Sequence, residues 1–503
     1  MQTDFSQLKS QIEGDLLMSH VQRVLYSTDA SQYKEMPAAV VLPRNKEDIK
    51  KLIIFAQKNQ QSVIPRGAGT SLAGQVVGKG IVADVSRYMN HIIEINPDAR
   101  YAIVEPGVVL SELNLALAPY KLQFGPETST ANRCVIGGML GNNSCGLHSL
   151  VYGSVREHIL EVNAILSDGS EASFRALSKQ EFYDKLNNNS NQLEKIIYQN
   201  IHHILSNSGN QEEIRNNFPH PSLTRRNMGY AIDELLNSEM YTNGGQPFNF
   251  CKLLAGSEGT LAFTYRLKIN LIPLPPRHKG LLCAHFRTLE ESLDANLIIL
   301  NHHPQAIELM DDAILQCTKE NIEQRKNRFF VQGDPGAILM TEFACESEQE
   351  LMEKAKAVEF DLRKAGLGYH FPVVTGDVNI KKVWALRSAG LGLLANIPGD
   401  KKGVPGIEDT AVPPFHLPAY VADIKKVLAK LGLKSIYYAH IATGEIHFRP
   451  LINFKDPSDV KLFNQLMNET ALLVKKYGGS MSGEHGDGRV RGKFIPFMLG
   501  DHI

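Results

Sequence analysis

Three glycine-dense loops, each set against a β-prone run, constrain the fold of this chain more than any other feature. Pro65-Arg66-Gly67-Ala68-Gly69-Thr70-Ser71 follows the strand-like Ser62 to Pro65. Closely spaced glycines let successive backbone N–H groups turn inward as an anion nest, and two hydroxyls add donors. The second loop runs from Pro126-Glu127-Thr128-Ser129-Thr130 through Ile136-Gly137-Gly138-Met139 to Asn142-Asn143-Ser144-Cys145-Gly146. Its mixture of Gly, Ser, Thr and Asn with core-type residues suits backbone pressed against a flat, polar-edged ligand. The third, Gly256-Ser257-Glu258-Gly259-Thr260, precedes an apolar strand that ends at Pro273. None has the spacing G-x-G-x-x-G or G-x-x-x-x-G-K-[ST], so a standard nicotinamide or ATP fold is not supported.

Size permits several such loops in one molecule, since 503 residues correspond to two large domains or about three of ordinary size. The composition, 43% apolar and 21% charged, is that of a soluble globular protein and excludes disorder, collagen and coiled coil. Lys plus Arg number 53 against 54 for Asp plus Glu, which leaves no field to draw nucleic acid. No apolar run reaches the ~18 to 20 residues that cross a bilayer. The start, MQTDFSQLKS, lacks the basic-then-apolar order of a signal peptide, so a cytoplasmic location without a transmembrane segment is expected. Cys134, Cys145, Cys251, Cys283, Cys317 and Cys345 stand far apart with no Cys-x-x-Cys, which argues for reduced thiols and against a cysteine-held zinc or iron-sulfur cluster.

Along the chain, residues 1–36 read as an amino-terminal helical segment. Val40 to Pro43, a helix capped by Asn45, and Ser62 to Pro65 form a βαβ-like start, followed by β-rich Ile81 to Val85 and Tyr101 to Val104. Phe182 to Asn217 reads as a surface helical insertion. Pro273, Pro275 and Pro276 mark the clearest boundary. The expected division is a glycine-loop domain at 37–273, a second domain at 274–477, and a segment at 478–503 that returns to the ligand site.

His440 and His447 lie on two β-prone runs, Ser435 to Ile441 and Ile446 to Arg449, joined by Ala442-Thr443-Gly444-Glu445. A four-residue hairpin loop would set the two histidines directly opposite, with Cβ atoms about 5 Å apart and able to share a metal ion. Gly483-Glu484-His485-Gly486-Asp487-Gly488 adds a carboxylate and an imidazole, suited to a third ligand beside a base. Spacing alone leaves open a plain cross-strand pair and a glycine turn.

The segments PRGAGTSLAGQ (65–75), VEPGV (104–108), PETSTANRCVIGGMLGNNSCG (126–146) and GSEGTLA (256–262) together resemble the vanillyl-alcohol-oxidase type flavoproteins. The resemblance is to their FAD-linked dehydrogenases of D-lactate, glycolate and D-2-hydroxyglutarate, and covers about Pro37 to the end. It implies an α+β fold, with a two-subdomain FAD-binding domain and a ferredoxin-like α+β substrate (cap) domain. It further implies that FAD is held by Pro65, Arg66, Gly67, Ala68, Gly69, Thr70, Ser71 and Gln75, by Pro126, Glu127, Thr128, Gly137, Gly138, Asn142, Ser144, Gly146 and Gly153, and by Glu258 and Gly259. Many relatives tether FAD through a histidine in the first loop; this loop has none, so FAD is expected to be non-covalent.

By the same resemblance His440, His447 and Glu484 correspond to ligands of a divalent ion, zinc, His485 to the base that takes the substrate's hydroxyl proton, and Arg387 to the carboxylate-binding arginine. Phe448-Arg449-Pro450 departs from the family's His-x-Asn ending, which makes Arg449 a second carboxylate clamp. The implied activity is oxidation of a D-2-hydroxy acid to its 2-oxo acid with hydride transfer to flavin N5. Electrons then leave to a quinone, an electron-transfer flavoprotein or an iron-sulfur domain. The ending looks like the flavin half of long bacterial members that continue into an iron-sulfur half, and the chain is compatible with a homo-oligomer, a state its sequence does not decide. Two alternatives share the FAD: an NADPH-dependent flavin reductase, and a non-catalytic electron-transfer subunit.

Overall fold

The computed structural model describes residues 3–395 and 399–503, and the side chains of all of these save 320 and 390–395. Three sheets organise the chain. In the first, Ala39–Leu42 and Val63–Arg66 run parallel to Ile81–Asp84 on either side of it. The crossover helix Lys46–Lys58 begins at Asn45, whose side chain accepts the Asp48 N–H, and buries Ile49, Leu52, Phe55 and Ala56. Parallel strands need this cover on their faces, which is why all four residues of Ala39–Leu42 and of Ile81–Asp84 are buried.

The amino-terminal segment differs from a single helix. Two short helices, Ser6–Gln11 and His20–Leu25, flank a strand, Asp15–Leu17, that pairs antiparallel with Ala39–Leu42. Neither six-residue helix is long enough to persist without packing, and Gly14 sits where a Cβ would meet the Leu42 carbonyl oxygen at 2.1 Å, so the chain docks on the sheet edge instead.

The second sheet is antiparallel, in the order Phe248–Asn249, Glu171–Leu177, Ile159–Ile165, Phe263–Asn270, Tyr101–Val104, Ile92–Asn96. The polar stretch beyond it forms the helices Lys179–Asn187, Gln192–Ser206 and Ser208–Asn217.

The third sheet carries the β-α-β-β-α-β order of a ferredoxin-like domain: His278–Phe286, helix Leu289–Leu300, Ala306–Asp311, Ala337–Cys345, helix Glu348–Lys364, Val373–Thr375. Its strands lie in the spatial order fourth, first, third, second, all antiparallel. The hairpin Ser435–His440 and Glu445–Ile452 then extends the sheet from Ala306–Asp311. Period-two alternation sorts these strands. Ile307, Leu309, Ala439, Ile446 and Phe448 face one core, packed with residues of helices Leu289–Leu300 and Leu417–Lys430. The alternate positions Glu308, Tyr438, His440, Glu445, His447 and Arg449 share the other face. No helix among the described residues is long and apolar enough to cross a membrane.

Candidate active site

A cavity of about 1110 Å³ lies between the glycine loops and the charged face of the third sheet. It is roomy enough for a dinucleotide together with a small substrate. Of the nineteen residues expected to hold the cofactor, all line it except Pro126 and Gly153. Gly153 instead borders a second cavity beside the helical insertion. Its positive φ of +67° ends the helix Ser149–Tyr152 and brings it against the Glu157 side chain, so its glycine serves a turn.

Among the described residues the N–H groups of Gly67 to Ser71 have no acceptor, as an anion nest requires. Gly137 and Gly138 divide their work. A Cβ on Gly137 would meet Pro106 at 2.5 Å, whereas Gly138 has only Val135 at 3.6 Å and leaves open backbone toward the cavity. Its N–H is an unpaired donor in the first turn of Ile136–Asn142. Cavity size, unspent amides and bare backbone fit a flavin dinucleotide.

The hairpin register differs from the expected one. His440 pairs with Glu445, and Tyr438 with His447. The loop is Ile441 to Gly444, one position earlier in the chain, which shifts the register by two residues. A shift of two keeps every side chain on its face, so His440 and His447 become diagonal neighbours with ring centroids 5.3 Å apart.

Both imidazoles are oriented from behind. His440 Nδ1 lies 2.6 Å from Glu308 Oε1, and His447 Nδ1 meets the Glu408 carbonyl oxygen. A carboxylate and a carbonyl only accept, so each Nδ1 carries the proton and, in the neutral ring, each Nε2 offers its lone pair. Those two Nε2 atoms stand 3.6 and 3.8 Å from Glu484 Oε1, and His485 Nε2 stands 3.2 Å from the same oxygen. His440, His447 and Glu484 thus present ligand atoms all within 4.8 Å of one another. The donor set and its outer partners fit a divalent ion.

A second triad, Asp409, Glu484 and His485, meets the same distance condition but is already committed. Asp409 accepts from the Ser482 hydroxyl at 2.6 Å and from the Glu484 and His485 N–H groups at 3.1 and 2.9 Å. The buried Arg491 donates to Glu408 at 2.7 Å and lies 3.8 Å from Asp409, supplying the positive charge on that side.

The carboxy-terminal loop is held from several directions. Glu258 accepts from the Asp487 and Gly488 N–H groups at 2.8 and 3.1 Å, Gln75 donates to the His485 carbonyl at 2.5 Å, and Asn142 to the Glu484 carbonyl at 2.8 Å. These three expected cofactor residues line the cavity while spending polar groups on the loop. Gly486, at φ +80°, has no room for a side chain, because a Cβ would meet Glu258 Oε1 at 2.5 Å.

Burial and neighbouring charge set the protonation of this pole. Burial works against a charged His440, but Glu308 prevails and the pKa is raised to about 9. Burial holds His447 well below the usual imidazole range, aided by His440. Burial would push Glu484 up, yet Arg225 and His440 hold it well below the usual carboxylate range. Burial likewise opposes a charge on His485, and Asp409, Glu408 and Glu484 overcome it, keeping the imidazolium well above its ordinary pKa.

Arg387 and Arg449 reach the same cavity from either side of Tyr438. Arg387 lies 5.1 Å over the Tyr438 ring and donates to Glu308 Oε2 at 2.8 Å, while its Nε is buried without a partner. Arg449 Nε donates to the Tyr438 hydroxyl at 3.1 Å, leaving its terminal nitrogens free of hydrogen-bond partners among the described residues.

Glu308, Glu408, Asp409, Glu445, Arg225 and Arg491 were not expected at the site. Acids inside apolar runs, Ile307-Glu308-Leu309-Met310 and Val404 to Val412 around Glu408-Asp409, were the available signal for three of them. Glu445 looks like turn chemistry in sequence, and Arg225 carries no local signal.

Residues 37–174 match the family described as FAD binding domain, and residues 275–502 match FAD linked oxidases, C-terminal domain. The D-2-hydroxyglutarate dehydrogenase of Escherichia coli (strain K12) is 32% identical over 504 residues, covering 97% of this chain and 48% of the relative. The chain therefore spans about half the length of the D-2-hydroxyglutarate dehydrogenases it matches. The glycolate oxidase subunit GlcD of the same organism is 25% identical, over 96% of this chain and 82% of that protein. Among solved structures, p-cresol methylhydroxylase with substrate bound superposes with a TM-score of 0.61 at 13% identity, over 95% of this chain and 88% of the other. An alkyldihydroxyacetonephosphate synthase gives 0.61 at 15% identity, over 98% and 82%. Those two likenesses concern the fold alone, while the sequence matches over residues 37–174 and 275–502 show that the chain carries an FAD binding domain and the C-terminal domain of FAD linked oxidases.

Proposed function

We propose that this protein oxidises a D-2-hydroxy acid, of the 2-hydroxyglutarate, lactate or glycolate type, to the 2-oxo acid. The observation that carries this is the convergence of three imidazole nitrogens on Glu484 Oε1 within 3.8 Å, in a cavity that also holds two arginines and the glycine loops. The relatives named for D-2-hydroxyglutarate, glycolate and D-lactate support the substrate class.

When bound, FAD supplies the hydride acceptor at N5, and a divalent ion such as zinc supplies Lewis acidity at the substrate hydroxyl. Arg387 binds the substrate carboxylate through its fork, and Arg449 adds a second guanidinium on the far side of Tyr438. Glu308 orders both halves of this arrangement, since one oxygen orients His440 and the other orients Arg387. His485 receives the hydroxyl proton. In the structure the carboxylates of Glu408, Asp409 and Glu484 keep it an imidazolium; with the Glu484 charge offset by a divalent ion held by His440, His447 and Glu484, the neutral, accepting ring is favoured. The absence of a histidine from Gly67 to Ser71 favours dissociable FAD, and the absence of a nicotinamide fingerprint favours a quinone, an electron-transfer flavoprotein or an iron-sulfur domain as electron acceptor.

Turnover with an artificial dye acceptor tests this. The D enantiomers of 2-hydroxyglutarate and lactate are the compounds to compare with their L forms, beside the achiral glycolate. Dye reduction coupled to 2-oxo acid formation by at least one, with the L forms inactive, is expected. Dye reduction by NADPH but by no hydroxy acid would support a reductase instead.

A further inference from the structure

Arg225 lies outside every glycine loop and both histidine motifs, yet its guanidinium is among the most deeply buried charged groups in the protein. Four groups from three separate parts of the chain meet on it. Its Nε donates to the Ser149 hydroxyl at 2.8 Å and its Nη2 to the Gly146 carbonyl, both at the end of the second glycine loop. Its Nη1 donates to Glu445 on the histidine hairpin and, at 2.9 Å, to Glu484 Oε2 on the carboxy-terminal loop. The carboxylate of Glu484 is thereby divided: Oε2 is taken by Arg225, and Oε1 faces the three imidazoles.

We propose that Arg225 is a positioning residue: it fixes Glu484 to offer one oxygen to the metal and ties the metal pole to the flavin loop through Gly146 and Ser149. This rests on the metal reading given above. A lysine would keep the charge but present one nitrogen, which cannot serve two carboxylates, a carbonyl and a hydroxyl in their fixed directions. Glu445 belongs to the same device. The hairpin register sets it opposite His440, and Arg225 supplies the counter-charge a fully buried acid requires. Partners one step behind a metal ligand typically control metal affinity by about 10- to 100-fold.

The test is a Co²⁺ titration of chelator-stripped, FAD-loaded protein, read by competition with a chromophoric chelator and by the cobalt absorption bands. The variant R225K is expected to bind Co²⁺ about 10- to 100-fold more weakly than wild type. Its bands should weaken as Glu484, released at Oε2, turns to bind through both oxygens and raises the coordination number. Flavin content should stay unchanged. Affinity within twofold of wild type with unaltered bands would overturn the proposal. Should R225K not fold, Ser149→Ala removes only the Nε acceptor and is expected to weaken Co²⁺ binding roughly fivefold; an unchanged affinity there would equally contradict it. A wild-type protein that binds no Co²⁺ would overturn the metal reading and this inference together, whereas wild-type binding matched by R225K would remove this inference alone.

Discussion

The two walls of the cavity solve recognition in opposite ways. On the glycine-loop wall the chemistry is backbone: unspent N–H groups from Gly67 to Ser71, open chain at Gly138, hydroxyls between them. On the opposite wall it is side chain: carboxylates, arginines and imidazoles brought from distant positions onto one sheet face and one loop. Backbone recognition is local and tolerates change except where a Cβ intrudes, while the charged wall depends on every partner, because an unpaired buried charge is costly. The walls should therefore fail differently.

The largest expected effect breaks the charged wall alone. His447→Ala removes a ligand, and kcat/KM should fall by about 10³-fold with loss of bound divalent metal, while flavin content is retained. Metal analysis beside the flavin spectrum checks this, and joint loss of both cofactors would mean that the walls are not separable. Next, Arg387→Met should raise KM for the hydroxy acid by roughly 100-fold with a smaller effect on kcat, since a fork to a carboxylate is lost and Glu308 loses a partner. Steady-state kinetics with a dye acceptor reads it.

The converse experiment strains the backbone wall. Gly69 has φ +67° and a Cβ there would meet the Arg66 guanidinium at 2.4 Å, so Gly69→Ala should weaken FAD by about 10-fold and leave Co²⁺ affinity unchanged. Equilibrium dialysis of each ligand separates the two effects.

A last effect, on stability and not on activity or ligand affinity, concerns the seam between the walls. His148 lies between Glu127 at 2.6 Å and Glu342 at 3.2 Å, with Lys279 3.7 Å from Glu342, so a glycine-loop residue bridges to the third sheet. Burial opposes its charge, and the two carboxylates raise its pKa to about 10. A histidine raised in the folded state contributes fully below about pH 6.5 and loses that contribution as pH climbs toward 10. Thermal melts should show wild-type stability declining across that window by about 2 kcal/mol more than His148→Gln, whose curve should be flatter.

The same contrast explains what the sequence makes legible. Glycine loops announce themselves because each works with its own neighbours, as Gly67-Ala68-Gly69-Thr70-Ser71 does. Strand and helix alternation after Pro276 marks where the second domain starts, whereas its ferredoxin-like order is implied by the family resemblance and not by the pattern. His440 and His447 were readable as a pair because hairpin geometry conserves face, even though the register lies two residues from the expected one. Arg225 was not, and the apolar runs around Glu308 and Asp409 signal burial but not partners, since the positions these three join are 73 to 259 residues away in the chain and only packing brings them together. Glu258 and Gln75 illustrate a subtler limit. Both lie in cofactor motifs, yet their polar groups reach across to the carboxy-terminal loop.

Anaerobic rapid mixing of the FAD- and zinc-loaded protein with D-2-hydroxyglutarate, D-lactate and glycolate tests the central claim most directly. Oxidised-flavin absorbance should be lost within the mixing trace for at least one of them, and that loss should slow about 10³-fold in His447→Ala. A flavin that stays oxidised with every 2-hydroxy acid would contradict the account.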